Sequence, residues 1–215
     1  MAKLHITRVD TQTVGPFQEN TFFLRRDDSQ ETVIIDPGDE HERLIAWLDG
    51  DTLKPVAIVN THAHLDHIGA VAPLIAKYGV PFYLHPADLP ILREAPEHAR
   101  MFGVRVPLVP TVDVDLAHGD VLRLAGLSIT VLHTPGHTPG GVSLQVDGRL
   151  FAGDTLFSGS VGRTDLPGGD RDALLASLSH RIMVLDDETV VHSGHGPDTT
   201  IGTERRSNPF LTGRF

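Results

Sequence analysis

Cysteine is absent from the 215 residues. That absence excludes disulfides, zinc–thiolate sites and a cysteine nucleophile, and it fits a reducing compartment. Positive charge is scarce as well. Eighteen lysines and arginines face 28 aspartates and glutamates, a net charge of −10. An acidic chain with no basic tract repels nucleic-acid phosphates, so duplex and RNA substrates are disfavoured. No apolar run approaches the roughly 18 residues of a membrane span. The start, Met1-Ala2-Lys3-Leu4-His5-Ile6, lacks the apolar core of a signal peptide. The expected location is the cytoplasm, without a membrane partner. No feature of the sequence speaks to oligomeric state. Hydrophobic content of 40% and charged content of 21% are ordinary for a globular protein. One domain spanning 1–215 is expected, large enough to bury roughly 70% of its unfolded surface without staples. What the chain has in excess is histidine, 13 residues of it.

Apolar runs rich in β-branched residues alternate with helical patterns, which predicts a mixed α/β fold. Strands are expected at Leu4–Val9, Thr21–Leu24, Thr32–Ile35, Val56–Asn60, Phe82–Leu84, Val121–Leu124, Leu127–Leu132, Val142–Val146, Leu150–Ala152 and Thr189–Val191. Helices are expected at Glu40–Leu48, His67–Tyr78, Ala87–Glu94 and Arg171–Ser179. Five strands end alike. Val33-Ile34-Ile35 runs into Asp36-Pro37-Gly38, and Ile58-Val59-Asn60 into Thr61-His62-Ala63-His64-Leu65-Asp66-His67. Ile129–Leu132 leads to Thr134-Pro135-Gly136-His137, Leu150–Ala152 to Gly153-Asp154-Thr155, and Val190-Val191 to Ser193-Gly194-His195-Gly196. Each presents an imidazole or carboxylate beside glycine just past a rigid strand. In open α/β sheets, ligands bind outside the carboxyl ends of strands, where such residues converge.

His62-x-His64-x-Asp66-His67 places four potential ligands within six residues. Imidazole and carboxylate donors suit zinc, iron or manganese better than calcium or magnesium. His62 and His64 share a face if strand geometry persists, whereas Asp66 and His67 lie past the turn and can face a second centre. With His137, Asp154 and His195 there are seven candidates, more than one closed structural site uses.

These four segments, with Leu156-Phe157 after Gly153-Asp154-Thr155, resemble the metal motifs of the metallo-β-lactamase superfamily. The resemblance runs from about Gln12 to Leu211. It implies a four-layer αββα sandwich with two divalent metals at one rim of the sheets. It further implies that His62, His64 and His137 hold the first metal, that Asp66, His67 and His195 hold the second, and that Asp154 bridges them. Asp66 and Asp154 are then the candidate catalytic carboxylates. Asp36 matches the family's Asp-Pro-Gly turn and would orient a ligand from behind. Two such cations lower the pKa of a shared water, so no serine or cysteine nucleophile is required.

Within the superfamily the chain most resembles glyoxalase II, a hydrolase of hydroxyacylglutathione thioesters. Gly162-Arg163 stands where glyoxalase II has Gly-Lys, and Glu204 and Asn208-Pro209-Phe210-Leu211 resemble its later segment. The implied substrate is a small-molecule thioester carried by glutathione, with Arg163 as the candidate contact to a carboxylate. Twenty residues follow His195, so the resemblance is to the short, single-domain members rather than to those with a glutathione-binding helical domain. Asp165 also departs from their tyrosine. Gly162-Arg163-Thr164-Asp165 and Asn208-Pro209 are shared with persulfide dioxygenase, the alternative. A lactonase or β-lactamase, and a metal-binding module without catalysis, are the remaining readings. His5, His41, His85, His98, His118, His133, His180 and His192 have no motif support and read as surface or core residues.

Overall fold

The computed structural model describes residues 6–104 and 108–213. Its first half builds a six-stranded sheet from β1 (Thr7–Val14), β2 (Glu19–Arg26), β3 (Glu31–Ile35), β4 (Lys54–Val59), β5 (Phe82–Leu84) and β6 (Val114–Asp115), paired in that order. β1 to β3 meander antiparallel, and β3 to β6 run parallel. Helices α1 (His41–Gly50), α2 (Leu65–Ile68), α3 (Val71–Tyr78) and α4 (Leu89–Phe102) fill the crossovers. The second half builds another sheet from β7 (Val121–Leu124), β8 (Leu127–His133), β9 (Val142–Val146), β10 (Arg149–Gly153), β13 (Val190–Ser193) and β14 (Thr199–Thr200). A small hairpin, β11 (Leu156–Phe157) and β12 (Ser160–Val161), follows β10. Helices α5 (Arg171–Ser177), α6 (Ile201–Ser207) and α7 (Pro209–Thr212) close the second half, α5 running on into a π-helical turn over Leu178–Ile182.

Period-two alternation sorts the side chains into three buried layers. Phe23, Ile34, Ile58, Phe82 and Leu84 face Leu44, Leu48, Val71, Leu74 and Leu92 of the helices. Their strand neighbours Phe22, Leu24, Val33, Ile35, Ala57 and Val59 point the other way, onto Ile129, Val131, Leu144 and Phe151 of the second sheet. Leu150, Ala152 and Val191 turn outward again to Leu174, Leu178, Ile182 and Ile201. The result is helix, sheet, sheet, helix: the expected four-layer αββα sandwich.

The two sheets are locked at one rim. β3 and β4 are parallel, so Asp36 and Asn60 emerge at the same edge. β10 and β13 are parallel too and end together at Gly153 and Ser193. Backbone bonds cross between the sheets here: Val142 N–H donates to the Thr61 carbonyl at 2.8 Å, and Asn20 N–H to the Gly194 carbonyl at 2.8 Å.

Several elements differ from expectation. The strand expected at Leu4–Val9 is β1 at Thr7–Val14, and Leu4 and His5 lie outside the described residues. Its alternating polar residues mark a strand that is solvated on one face. The single helix expected over His67–Tyr78 is split into α2 and α3. Ala70 N–H leaves the helical ladder to bond the Pro37 carbonyl at 2.9 Å. Pro73, one turn later, has no N–H to return to Gly69. α4 continues past the expected stop at Glu94, through Pro96, because Ile91, Leu92, Ala95 and Ala99 bury one face. β6, β11, β12, β14 and α7 are short pieces without a readable period.

Candidate metal centre

All seven candidate ligands converge on the rim. One donor atom from each of His62, His64 and His137 lies within 4.8 Å of the other two, and the same holds for Asp66, His67 and His195. Asp154 lies between the groups. Its Oδ2 is 3.5 Å from His137 Nε2 and 3.6 Å from His195 Nε2, and its Oδ1 is 3.5 Å from His67 Nε2.

Three of the imidazoles are aimed by a hydrogen bond behind them. His137 Nδ1 is 2.8 Å from the Arg163 carbonyl, and His195 Nδ1 is 3.1 Å from the Phe17 carbonyl. A carbonyl only accepts, so Nδ1–H donates in both, and Nε2 is the nitrogen that faces the centre. His67 Nδ1 is 3.1 Å from Asp36 Oδ2, which fixes the same tautomer. Asp36 is in the left-handed region at φ 48°, a strain that aspartate tolerates better than most residues. The contorted turn is held by its own carboxylate. Oδ1 accepts Thr61 N–H at 2.7 Å, and Oδ2 accepts Thr61 Oγ1–H at 2.5 Å. Asp36 therefore sits directly behind the His67 ring. Gly194 is needed for close approach, since a Cβ there would collide with Asp154 Oδ1 and press on His67.

The residues fit divalent metal. Among the described residues, His62 Nε2, His67 Nε2 and Asp154 Oδ1 are buried without any hydrogen-bond partner. Unpaired buried groups cost about 1–3 kcal/mol each, and a cation among them removes that cost. His64 Nδ1 and His137 Nε2 also point at each other across 2.9 Å. Burial, reinforced by the neighbouring imidazoles, holds His62 well below its ordinary 6.5. Burial and then His137 push His64 down to about 3. Both are therefore neutral donors. For His67, burial is outweighed by Asp154 and Asp36, which raise it. For His195, burial is outweighed by Asp66 and Asp154, with the same result. Burial alone would raise Asp154, but His67, His137 and His195 hold it below the usual carboxylate range.

Arg163 is placed differently from a waiting anion site. Its guanidinium makes a two-point pair with Asp165, Nε to Oδ1 at 2.7 Å and Nη2 to Oδ2 at 2.7 Å. Its backbone, not its side chain, touches the centre. Sequence reasoning also missed four buried polar residues. Asn20 Nδ2 donates to the Ser193 and Gly196 carbonyls at 3.1 and 2.9 Å, bracketing His195. Asn60 Nδ2 donates to the His67 carbonyl at 2.7 Å. Glu19 lies 3.9 Å from His67 Nδ1, its pKa driven well up by burial. Asp88 bonds the loops carrying His62, His64 and His137. Only Asn60, at the end of an apolar strand, had a positional signal.

Two stacked sheets between helices, with imidazoles and carboxylates gathered at one rim, define a metal-dependent hydrolase architecture. The chain belongs to the metallo-β-lactamase superfamily, whose sequence model matches residues 14–195. It is similar to the hydroxyacylglutathione hydrolase GloC of Haemophilus influenzae, 38% identical over 94% of this chain and 96% of that one. Among solved structures it resembles the BLEG-1 B3 metallo-β-lactamase, with a TM-score of 0.90 and 44% identity over 96% of this chain and all of that one. It also resembles TTHA1623 in a di-iron-bound form, with a TM-score of 0.86 and 49% identity over 94% of this chain and all of that one. ETHE1 from Myxococcus xanthus is more distant, with a TM-score of 0.80 and 27% identity over 97% of this chain and 86% of that one.

Proposed function

We propose that the protein is a binuclear thioester hydrolase of the glyoxalase II type, cleaving S-(2-hydroxyacyl)glutathione. The observation that carries the binuclear reading is the place of Asp154, 3.5–3.6 Å from ring nitrogens of both donor groups. His62, His64 and His137 would hold one cation, Asp66, His67 and His195 the other, and Asp154 both. Such a pair supplies a nucleophilic water at neutral pH and charge stabilisation for the developing oxyanion. Donors of nitrogen and oxygen without thiolate suit zinc, iron or manganese, and the di-iron form of TTHA1623 keeps iron in contention.

The chain's own groups do the rest. Asp154 and Asp66, both held below the usual carboxylate range, remain ionised and balance the cations. Asp36 and the carbonyls of Phe17 and Arg163 keep three imidazoles in the ligating tautomer. A leaving thiol with a pKa of roughly 8.5 departs as thiolate with little proton donation. The name of GloC supports the glutathione carrier. Net charge of −10 favours a small molecule over nucleic acid, and a chain without cysteine fits the cytoplasm.

The test is hydrolysis of S-lactoylglutathione by purified protein of measured metal content. A kcat/KM above roughly 10⁴ M⁻¹s⁻¹, abolished by chelation, is expected. Faster turnover of a chromogenic β-lactam would overturn the thioester reading in favour of the chemistry named for BLEG-1. Among the described residues no helix is long and apolar enough to cross a membrane. The likeness to ETHE1 and the shared Gly162-Arg163-Thr164-Asp165 favour persulfide oxidation as the second reading. Oxygen consumption with glutathione persulfide, by protein holding one iron per chain, would establish it.

A further inference from the structure

Asp88 stands at the N-cap of α4, where aspartate ordinarily accepts a bond from its own helix. It makes no such bond. Its side chain is fully buried, and both oxygens are committed elsewhere. Oδ2 accepts Ala63 N–H at 3.0 Å and Thr138 Oγ1–H at 2.9 Å, and Oδ1 accepts Gly140 N–H at 2.6 Å. Ala63 separates His62 from His64, and Thr138 follows His137. One carboxylate thus ties the two loops that carry the whole first donor group, one leaving the first sheet and the other the second. Gly140 is fitted to it, because a Cβ there would press on the Asp88 backbone nitrogen and carboxylate. The local 3₁₀ turn at Pro86–Asp88 presents the carboxylate between the loops.

We propose that Asp88 is a positioning residue that presets His62, His64 and His137 for the first metal. The proposal rests on the metal reading of those three histidines. The chemistry makes it specific to a carboxylate. Two fixed backbone amides approach opposite oxygens, so an asparagine in either flip turns its NH₂ against one of them. The loops then separate by the width of a lost hydrogen bond. Residues that orient a ligand from behind typically change metal affinity by about 10- to 100-fold.

The experiment is a metal titration of the metal-free full chain with cobalt(II), read by visible spectrum and bound-metal stoichiometry. Wild type, Asp88→Asn, Thr138→Val and His64→Ala are compared, with metal-free Tm recorded for each. Wild type is expected to bind two ions and His64→Ala one. Asp88→Asn is expected to weaken one of the two binding steps by about 10- to 100-fold, leaving the other unchanged. Thr138→Val, which removes one of three bonds, should weaken the same step by a smaller factor at unchanged metal-free Tm. If Asp88→Asn fails to fold, Thr138→Val decides alone: a selective loss supports the role, and wild-type titration overturns it. Two wild-type binding steps in Asp88→Asn, with one lost in His64→Ala, would overturn the role and leave the metal reading intact. Undiminished binding in His64→Ala would instead overturn the metal reading itself.

Discussion

The two donor groups lie side by side yet are built from different chemistry. The first is three imidazoles, and its His62 and His137 are only 2% and 5% exposed. The second mixes Asp66 with His67 and His195, and its His195 and Asp66 side chains are 26% and 19% exposed. Burial dominates the first, so His62 and His64 are pushed down and present bare lone pairs. Carboxylates dominate the second, so His67 and His195 are pushed up. Removing water makes an imidazole a neutral ligand in advance. An adjacent carboxylate instead loads it with a proton that the metal must displace. The supports differ too. Asp88 spans both loops of the first group, while Asp36, Asn60 and Asn20 each hold one part of the second.

The largest effect should come from erasing what the groups share. Asp154→Asn is expected to weaken both binding steps and to lower kcat/KM by about 10³-fold or more, some 4 kcal/mol of barrier. Loss of only one step would show that Asp154 belongs to one group. His62→Ala should likewise abolish activity and reduce bound metal. His195→Ala should leave about one ion per chain and lower kcat/KM by a smaller factor, because the first group keeps its imidazoles. Inductively coupled plasma mass spectrometry beside the activity assay separates these outcomes.

Acidity sharpens the same comparison. His67 and His195 have pKa values raised above 6.5 in the metal-free site. As pH falls through those values, protons occupy the second group and compete with metal. His62 and His64 lie below 6.5, His64 at about 3, so protons do not compete there until far lower pH. Titrating metal-free protein at pH 8 and pH 6 should weaken one binding step by about tenfold per pH unit for each proton displaced. The other step should weaken less, because His62 and His64 hold no such proton. Equal weakening of both would show that the groups do not differ in this way.

The seven candidate donors were legible in the sequence, and of the groups behind them only Asp36 was. A ligand must be histidine or a carboxylate, and a rigid strand end must present it, so His62 to His67, His137, Asp154 and His195 show as residue type beside a strand. Alternating apolar strands and helical patterns made a mixed α/β fold legible, whereas the four layers came only from the resemblance to the superfamily; in the structure Val33 and Ile34, and Phe22 and Phe23, are apolar in succession because their strands are buried on both faces. Asp88 has no such mark. Its partners Ala63 and Thr138 lie 25 and 50 residues away, and a buried acceptor leaves no period. Asn20, 173 residues from Ser193, was hidden for the same reason. Helix ends failed where tertiary contact overrode local rule, as at Ala70, which bonds Pro37, and at Pro96, which α4 passes through.

The smallest effect lies at the rim. Arg163 and Asp165 are well exposed and pair with each other at two points, so a carboxylate on the substrate must compete with Asp165 for the guanidinium. Asp165→Asn removes that competitor. It should lower KM for an anionic thioester by roughly two- to fivefold, because exposed ion pairs are weak, with kcat unchanged. Arg163→Ala should raise KM by a similar factor. Its backbone carbonyl still aims His137, so kcat should hold in that variant as well. Salt provides the control. If Arg163 meets the substrate, the gain in Asp165→Asn should shrink as ionic strength rises past the point where the Debye length is about 8 Å. A KM indifferent to both substitutions would remove Arg163 from the substrate's path and leave the metal centre to recognise the thioester alone.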